Sequence, residues 1–271
     1  MQTITSVHNP RLKSAMRLHQ ARGRKQQDRI IVFGQREIRS AVVSGVLPDE
    51  LFILDTAVDD PSVQWLRSQV PNFDALAHRL AQPLFEKIAF GSRVDGVVMI
   101  ATRPPKRLDD FEAALASAAC PLVLVADSIE KPGNLGAILR TADGAGASGI
   151  LVTGGGTDWF HPNTIRASLG TAFSMPGIHL ETSAAAAWLD ERKFQVLIAA
   201  LQTDEPFYDC DLTVPTAIVV GSESQGVSAA WRAAARAVAL PMRGIADSLN
   251  VSATAAVMLY EAGRQRAAAA A

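Results

Sequence analysis

Leu122-Val123-Leu124-Val125-Ala126 is an uninterrupted apolar run with the length of a strand buried on both faces. It leads into Ile129-Glu130-Lys131-Pro132-Gly133-Asn134-Leu135-Gly136-Ala137-Ile138-Leu139-Arg140-Thr141-Ala142, and a second apolar run follows at Gly149-Ile150-Leu151-Val152-Thr153. Strand, helix and strand within residues 122–153 predict a βαβ unit of a parallel sheet. In this reading a Pro-Gly-Asn turn enters the helix, Asn134 caps it and Gly146 ends it. Asn134 then lies at the helix mouth, with Arg140 about two turns further along. Taken alone, the stretch reads equally as an ordinary βα turn with a cap and a surface arginine.

Further strands are expected at Val196–Ala200 and Thr216–Val220, with a helix around Ala184–Asp190 between them. The first hundred residues carry an alternation of their own. Asn9-Pro10 starts a helix whose apolar face is Leu12, Ala15 and Met16. Strands follow at Ile30–Phe33, Leu51–Leu54 and Val97–Ala101, and helices at 35–44, 62–69 and 83–90. The paired prolines of Thr102-Arg103-Pro104-Pro105-Lys106-Arg107 block both helix and central strand. The chain therefore divides into an N-terminal α/β domain (1–103), a linker (104–119) and a parallel α/β domain (120–271).

A hydrophobic content of 48% with 20% charged residues supports a folded core and argues against disorder. No apolar run approaches the roughly 20 residues of a membrane span, and no secretory signal opens the chain, so no membrane association and a cytoplasmic location are expected. Cys120 and Cys210 are isolated, and the five histidines show no ligand spacing, so no metal is expected. The net charge of -1 conceals an asymmetry: residues 1–39 hold nine Lys or Arg against Asp28 and Glu37. Arg11, Lys13, Arg17, Arg22, Arg24, Lys25 and Arg36 are the candidates for contact with a polyanion such as nucleic acid; the competing reading is a solvated helix face.

Gly221-Ser222-Glu223-Ser224-Gln225-Gly226 follows a strand with the outline of a dinucleotide loop, but Glu223 replaces its second glycine. A carboxylate there repels a pyrophosphate, which disfavours a nicotinamide-dependent oxidoreductase and leaves Glu223 suited to holding a cation. Ser248 and Asn250 stand at the mouth of the last helix, more side-chain hydrogen-bonders than a cap needs. Leu249, Ala253, Ala256, Val257 and Tyr260 are expected to form its buried stripe.

The ordered set Pro132-Gly133-Asn134-Leu135-Gly136-x-Ile138-x-Arg140-Thr141-Ala142, Arg166-Ala167-Ser168-x-Gly170, Gly221-x-Glu223-x-x-Gly226, and Pro241-Met242 with Ser248-Leu249-Asn250-Val251 resembles the SpoU (TrmH) family of the SPOUT superfamily. These are RNA ribose 2′-O-methyltransferases. Asn9-Pro10-Arg11-Leu12-Lys13, Gly34-x-Arg36-Glu37-Ile38 and Asp95-Gly96-Val97-Val98 are similar to the L30e-like substrate-binding domain of its ribosomal-RNA branch. The layout is similar to that of the thiostrepton- and avilamycin-resistance methyltransferases. One departure is Phe33-Gly34, where the family more often has a glutamate before the glycine.

The resemblance implies a C-terminal α/β domain with a deep trefoil knot, a homodimer, and S-adenosyl-L-methionine held at Leu201, Gln202, Gly221, Leu240, Met242 and Leu249. It implies Asn134, Arg140, Glu223, Ser248 and Asn250 as catalytic residues and adds Arg166 to the RNA contacts. Arg140 is expected to fix a phosphate and polarise the ribose hydroxyl, since a guanidinium keeps its charge. The separate basic domain points to 23S rRNA as substrate. A tRNA methyltransferase and a catalytically silent RNA-binding or assembly protein are the alternatives.

Overall fold

The structure is a computed structural model that describes residues 1–89, 95–201, 203–222 and 224–270. The chain separates into two units. One comprises Met1–Pro104 and Asp158–Ser174, the other Pro105–Thr157 and Met175–Ala271.

The first unit contains β1 (Gln2–Ile4), β2 (Arg29–Phe33), β3 (Glu50–Leu54), β4 (Ala77–Leu80) and β5 (Val97–Thr102). They form one mixed sheet in the order β1-β4-β3-β5-β2, with β5 antiparallel to both its neighbours. The Pro10–Arg17 helix starts as expected: Asn9 Oδ1 accepts from the Arg11 amide at 2.9 Å and Pro10 fills the first helical position. It buries Leu12 and Ala15 against Ile31, Phe52, Leu80 and Val98. The helix expected over 83–90 is a short Gln82–Phe85 helix, and Phe90 lies outside the described residues.

Asp158–Ser174 joins this unit although it lies beyond the expected boundary. Its anchor is the Asp158 carboxylate, which accepts from Arg24 Nε at 2.9 Å and from Arg103 Nη1 at 2.8 Å. Arg24 is fully buried and also donates Nη1 to the carbonyls of Leu18 and His19. Its expected place on a basic RNA-facing surface is thereby corrected: the charge is spent inside the fold. Ser40 Oγ donates to the Gly170 carbonyl at 2.8 Å, and at Gly170, with φ +90, an added Cβ meets Ser40 Cβ at 2.6 Å. Only glycine permits that close approach.

The second unit is built on β6 (Leu122–Asp127), β7 (Gly149–Thr153), β8 (Gly177–Leu180), β9 (Gln195–Ala199), β10 (Thr216–Val220) and β11 (Arg236–Val238). All five pairings are parallel, in the order β11-β9-β10-β6-β7-β8. The fully apolar runs read from the sequence are the central strands, as burial on both faces requires.

Residues 104–119 are not a plain linker. Leu108–Ala116 is a helix that buries Phe111 and Leu115 in the core with Val123, Leu151 and Trp188. The next helix, Pro132–Gly144, begins earlier than expected because Pro132 takes its first position. Asn134 therefore lies inside the first turn, and Lys131 precedes the helix without a side-chain cap. Gly146 does end it, at φ +71, donating to the Asp143 carbonyl while Ala147 donates to Ala142. The last helix, Val251–Ala269, buries Val251, Ala255, Met258, Leu259 and Ala262. Its expected stripe is about half a turn away from the buried one, and Leu249 and Tyr260 are exposed.

Candidate active site

In a parallel sheet all strands end on one edge. Val220 is in register with Ala126, Val219 with Ile198, and Val238 with Ala199. The loops after β6, β9, β10 and β11 thus leave by the same side, carrying Asn134, Leu201, Gly221 and Leu240. From β6 the chain steps outward through β7 and β8, then builds β9, β10 and β11 on the opposite flank. The direction reverses between β6 and β10, and in open α/β sheets ligands bind in the crevice at that reversal. A cleft of about 290 Å³ opens there, lined by Ile129, Glu130, Lys131, Asn134, Ser222, Ser224 and Val251.

The loop after β10 folds back tightly. The Ser222 amide donates to the Gly226 carbonyl at 3.1 Å and the Gly226 amide returns to Ser222 at 2.9 Å. A side chain at Gly221 would collide with the Gly226 and Val227 backbone, so this position must lack one. Asp127, fully buried at the end of β6, fastens the loop: Oδ2 accepts from the Ser228 amide at 2.8 Å and Oδ1 from Thr153 Oγ1 at 2.9 Å. Trp231 Nε1 in turn donates to Thr153 Oγ1 at 3.2 Å. Asp127→Asn keeps the shape but sets an NH2 against either donor. The expected cost is about 1–3 kcal/mol in urea unfolding; an unaltered unfolding midpoint would show that the network holds nothing.

Asn134 and Asn250 meet. Asn250 Nδ2 donates to Asn134 Oδ1 at 3.4 Å, while Asn250 Oδ1 caps the last helix through the Ser252 amide at 3.0 Å. Asn250 is both a cap and a tie between two loops. Arg140 is exposed and stands apart from this pair: six residues at roughly 100° each put it about 120° round the helix from Asn134. No ion pair holds it among the described residues. Ser248 is exposed, its Oγ 3.5 Å from Asp247 Oδ1. Leu201 and Leu249 are exposed, Leu240 and Met242 half-buried, and none lines the cleft. Gln202 and Glu223 lie outside the described residues.

Sequence reasoning passed over Glu130, Ser222, Ser224 and Asp127. Ser224 Oγ donates to Glu130 Oε1 at 3.1 Å across the cleft. The available signal was position alone, each lying within four residues of Asn134 or Gly221 or at the strand end before them. The lining suits S-adenosylmethionine chemically, with a carboxylate for its ammonium or sulfonium charge and hydroxyls for its polar edges. The volume stands at the lower end of ligand clefts, roughly 300–1000 Å³.

In the first unit Arg11, Lys13, Arg17, Arg22, Lys25 and Arg36 are exposed, although Arg11 is paired with Glu50 at 3.2 Å. Arg166 is exposed and lines a small cleft with Phe33, Gly34, Glu37 and Asp95, where two of the L30e-like motifs converge. Among the described residues no helix is long and apolar enough to cross a membrane, and no cluster of His, Cys, Asp and Glu could hold a metal.

A parallel sheet with a polar cleft at its reversal point, floored by a glycine-bounded loop, is the arrangement in which open α/β proteins bind a small ligand. The model of the SpoU rRNA Methylase family matches residues 121–260, and the chain belongs to this family. It is 31% identical over 266 residues to an uncharacterized tRNA/rRNA methyltransferase of Synechocystis, covering 97% of this chain and 94% of that one. It is 25% identical over 264 residues to the 23S rRNA (guanosine(2553)-2′-O)-methyltransferase RlmP of Bacillus subtilis, covering 96% and 98%. The crystal structure of the SpoU methyltransferase AviRb from Streptomyces viridochromogenes, in complex with AdoMet, superposes with a TM-score of 0.84 at 28% identity over 96% of this chain and 99% of that one.

Proposed function

We propose that this chain transfers a methyl group from S-adenosylmethionine to a ribose 2′-hydroxyl of 23S rRNA. The observation that carries the reading is the cleft where the β6 and β10 loops meet and Asn134 is tied to Asn250. Membership of the family, and relatives named for 23S rRNA 2′-O-methylation, supply the substrate class. The acceptor group exists only in RNA.

The donor supplies an electrophilic methyl group on a sulfonium. The chain's part is to hold the donor and align the ribose. Asn134, fixed by Asn250, orients the sugar; Ser222, Ser224 and Glu130, with the backbone at Gly221, cradle the donor. Arg140 positions the phosphate next to the target and polarises the hydroxyl, whose proton leaves to solvent as the methyl group is transferred. Glu223 holds Arg140 or a neighbouring cation, and Ser248 completes the hydrogen-bonded wall. Leu201, Leu240, Met242 and Leu249, outside the cleft wall itself, belong to loops that leave the same sheet edge and would close on the donor in the trefoil-knotted arrangement of the superfamily, together with Gln202.

The chain acts as a homodimer in the cytoplasm. Dimerisation is supported by exposed apolar side chains near the donor loops and on the last helix, Leu201, Ile245, Leu249 and Tyr260. Exposed Arg11, Lys13, Arg17, Arg22, Lys25, Arg36 and Arg166 grip the RNA backbone.

Transfer of tritium from labelled S-adenosylmethionine into rRNA is the test, with primer extension to locate the ribose. Label confined to tRNA would move the substrate. Donor binding without label in any RNA would leave a silent RNA-binding protein.

A further inference from the structure

The helices Gln35–Val43 and Pro61–Gln69 enclose another groove of about 290 Å³ in the first unit, lined by Gln35, Arg36, Arg39, Pro61, Ser62 and Trp65. Arg36 and Arg39, three residues apart, project from one face of their helix, and Ser62 and Trp65 from one face of theirs. The Arg39 guanidinium lies over the half-buried indole of Trp65, 4.5 Å from the ring centroid. Arg11, Arg24, Arg29, Arg67, Arg79 and Arg103 of this unit all have carboxylate partners. Among the described residues, no carboxylate pairs with Arg36 or Arg39.

Glu37, between the two arginines in sequence, is buried and lines the cleft with Phe33 and Asp95, and Asp60 precedes the groove wall. Asp60 accepts from the Ser62 amide at 2.8 Å and from Ser62 Oγ at 2.6 Å, and these bonds hold its carboxyl below the usual carboxylate range. It caps its helix and does not neutralise the two arginines.

Two exposed cations without counter-charge, one held over an aromatic ring, match an anionic polymer carrying planar groups. We infer that this groove takes a single-stranded nucleotide of the RNA substrate: a base stacks on the outer face of the Arg39 guanidinium, and Arg36 binds the adjoining phosphate. The inference rests on the reading of RNA as substrate. Trp65 removes the rotamer freedom of Arg39 before RNA arrives, so the Trp65–Arg39–base stack forms without that entropic penalty. Such a platform tolerates any base, because every base has a π face. The groove therefore contributes affinity and register, while the choice of target nucleotide is made elsewhere.

The test uses the full chain with transcribed 23S rRNA, measuring binding by filter retention and turnover by methyl transfer. Arg39→Lys keeps the charge and loses the plane. It and Trp65→Ala are each expected to weaken RNA binding and raise KM for rRNA about tenfold, with kcat and donor affinity unchanged. Trp65→Phe restores binding, and Arg36→Ala lowers the salt dependence by about one phosphate contact. Arg39→Lys changes only the surface, so it decides the matter if Trp65→Ala fails to fold.

Wild-type RNA affinity in Arg39→Lys overturns the inference, as does a wild-type chain that binds no RNA. Wild-type binding that weakens in the variants, without methylation in any of them, keeps the groove and removes the proposed activity. Methylation with an unaltered KM in the variants does the reverse. Variants that bind naked rRNA normally but lose assembled ribosomal particles assign the groove to a protein partner and overturn it.

Discussion

Arg140→Ala is expected to lower kcat by about 10²–10⁴-fold while leaving S-adenosylmethionine affinity unchanged. The split follows from position. Arg140 is exposed on the Pro132–Gly144 helix, away from the wall of the cleft proposed for the donor, so its removal is expected to take nothing from donor binding. It is expected to remove the group that aligns the acceptor. Arg140→Lys sharpens the point, because an ammonium keeps the charge but not the two-pronged geometry. A near-normal rate and an unchanged pH–rate profile in Arg140→Lys would refute any special part for the guanidinium fork. Equilibrium dialysis with labelled donor separates the two readouts.

Asp158→Ala is expected to cost the first unit about 3–5 kcal/mol, since it strands the buried Arg24 cation without its carboxylate. Arg24 Nη2 already lacks a hydrogen-bond partner among the described residues, which leaves little slack. Arg24→Met, filling similar space without charge, is expected to cost less. Urea unfolding at neutral pH, followed by hydrogen exchange over residues 10–33, reads both; a loss below about 1 kcal/mol in Asp158→Ala would contradict the assignment.

The site also sets an acid limit. Burial by itself raises the Asp158 carboxyl, and the bonds and charge of Arg103, with Arg24 and the Phe160 amide, outweigh it and hold it below its ordinary value. A carboxyl depressed in the folded state stabilises fully above its unfolded pKa, near 3.9 for aspartate. That stability is lost as pH falls below this value through the lower folded pKa. Asp158→Asn is expected to flatten the acid limb of the stability curve.

The residues show what a sequence reveals and what it hides. Thr216–Val220 was legible to the residue, since a β-branched, mostly apolar run between turns reads as a strand when helices alternate with it. β4 was not: Ala-His-Arg-Leu has no apolar run, and its strand exists because β1 and β3 pair with it. In Val251–Ala269 alanines and valines occur on nearly every face, so periodicity could not select the buried side. Asn134 was placed at the right end of the right helix, but the proline ahead of it sets the first turn. Arg24 looks like its basic neighbours in sequence, and only Asp158, 134 residues away, distinguishes it. Spacing and resemblance singled out the loops at Asn134 and Gly221, which meet at one cleft. The buried Asp127 that ties them to the sheet gave no local sign.

The first unit closes over Asp158–Ser174, so its last residue is synthesised 70 residues after Pro104. At about 5–20 residues per second, a ribosome takes roughly 4–14 s to make that stretch. Throughout that interval Arg24 has been translated and Asp158 or its supporting segment has not emerged. The nascent N-terminal unit therefore stays incomplete until β6 and β7 of the second unit have been made, and it is complete before β8 to β11 exist.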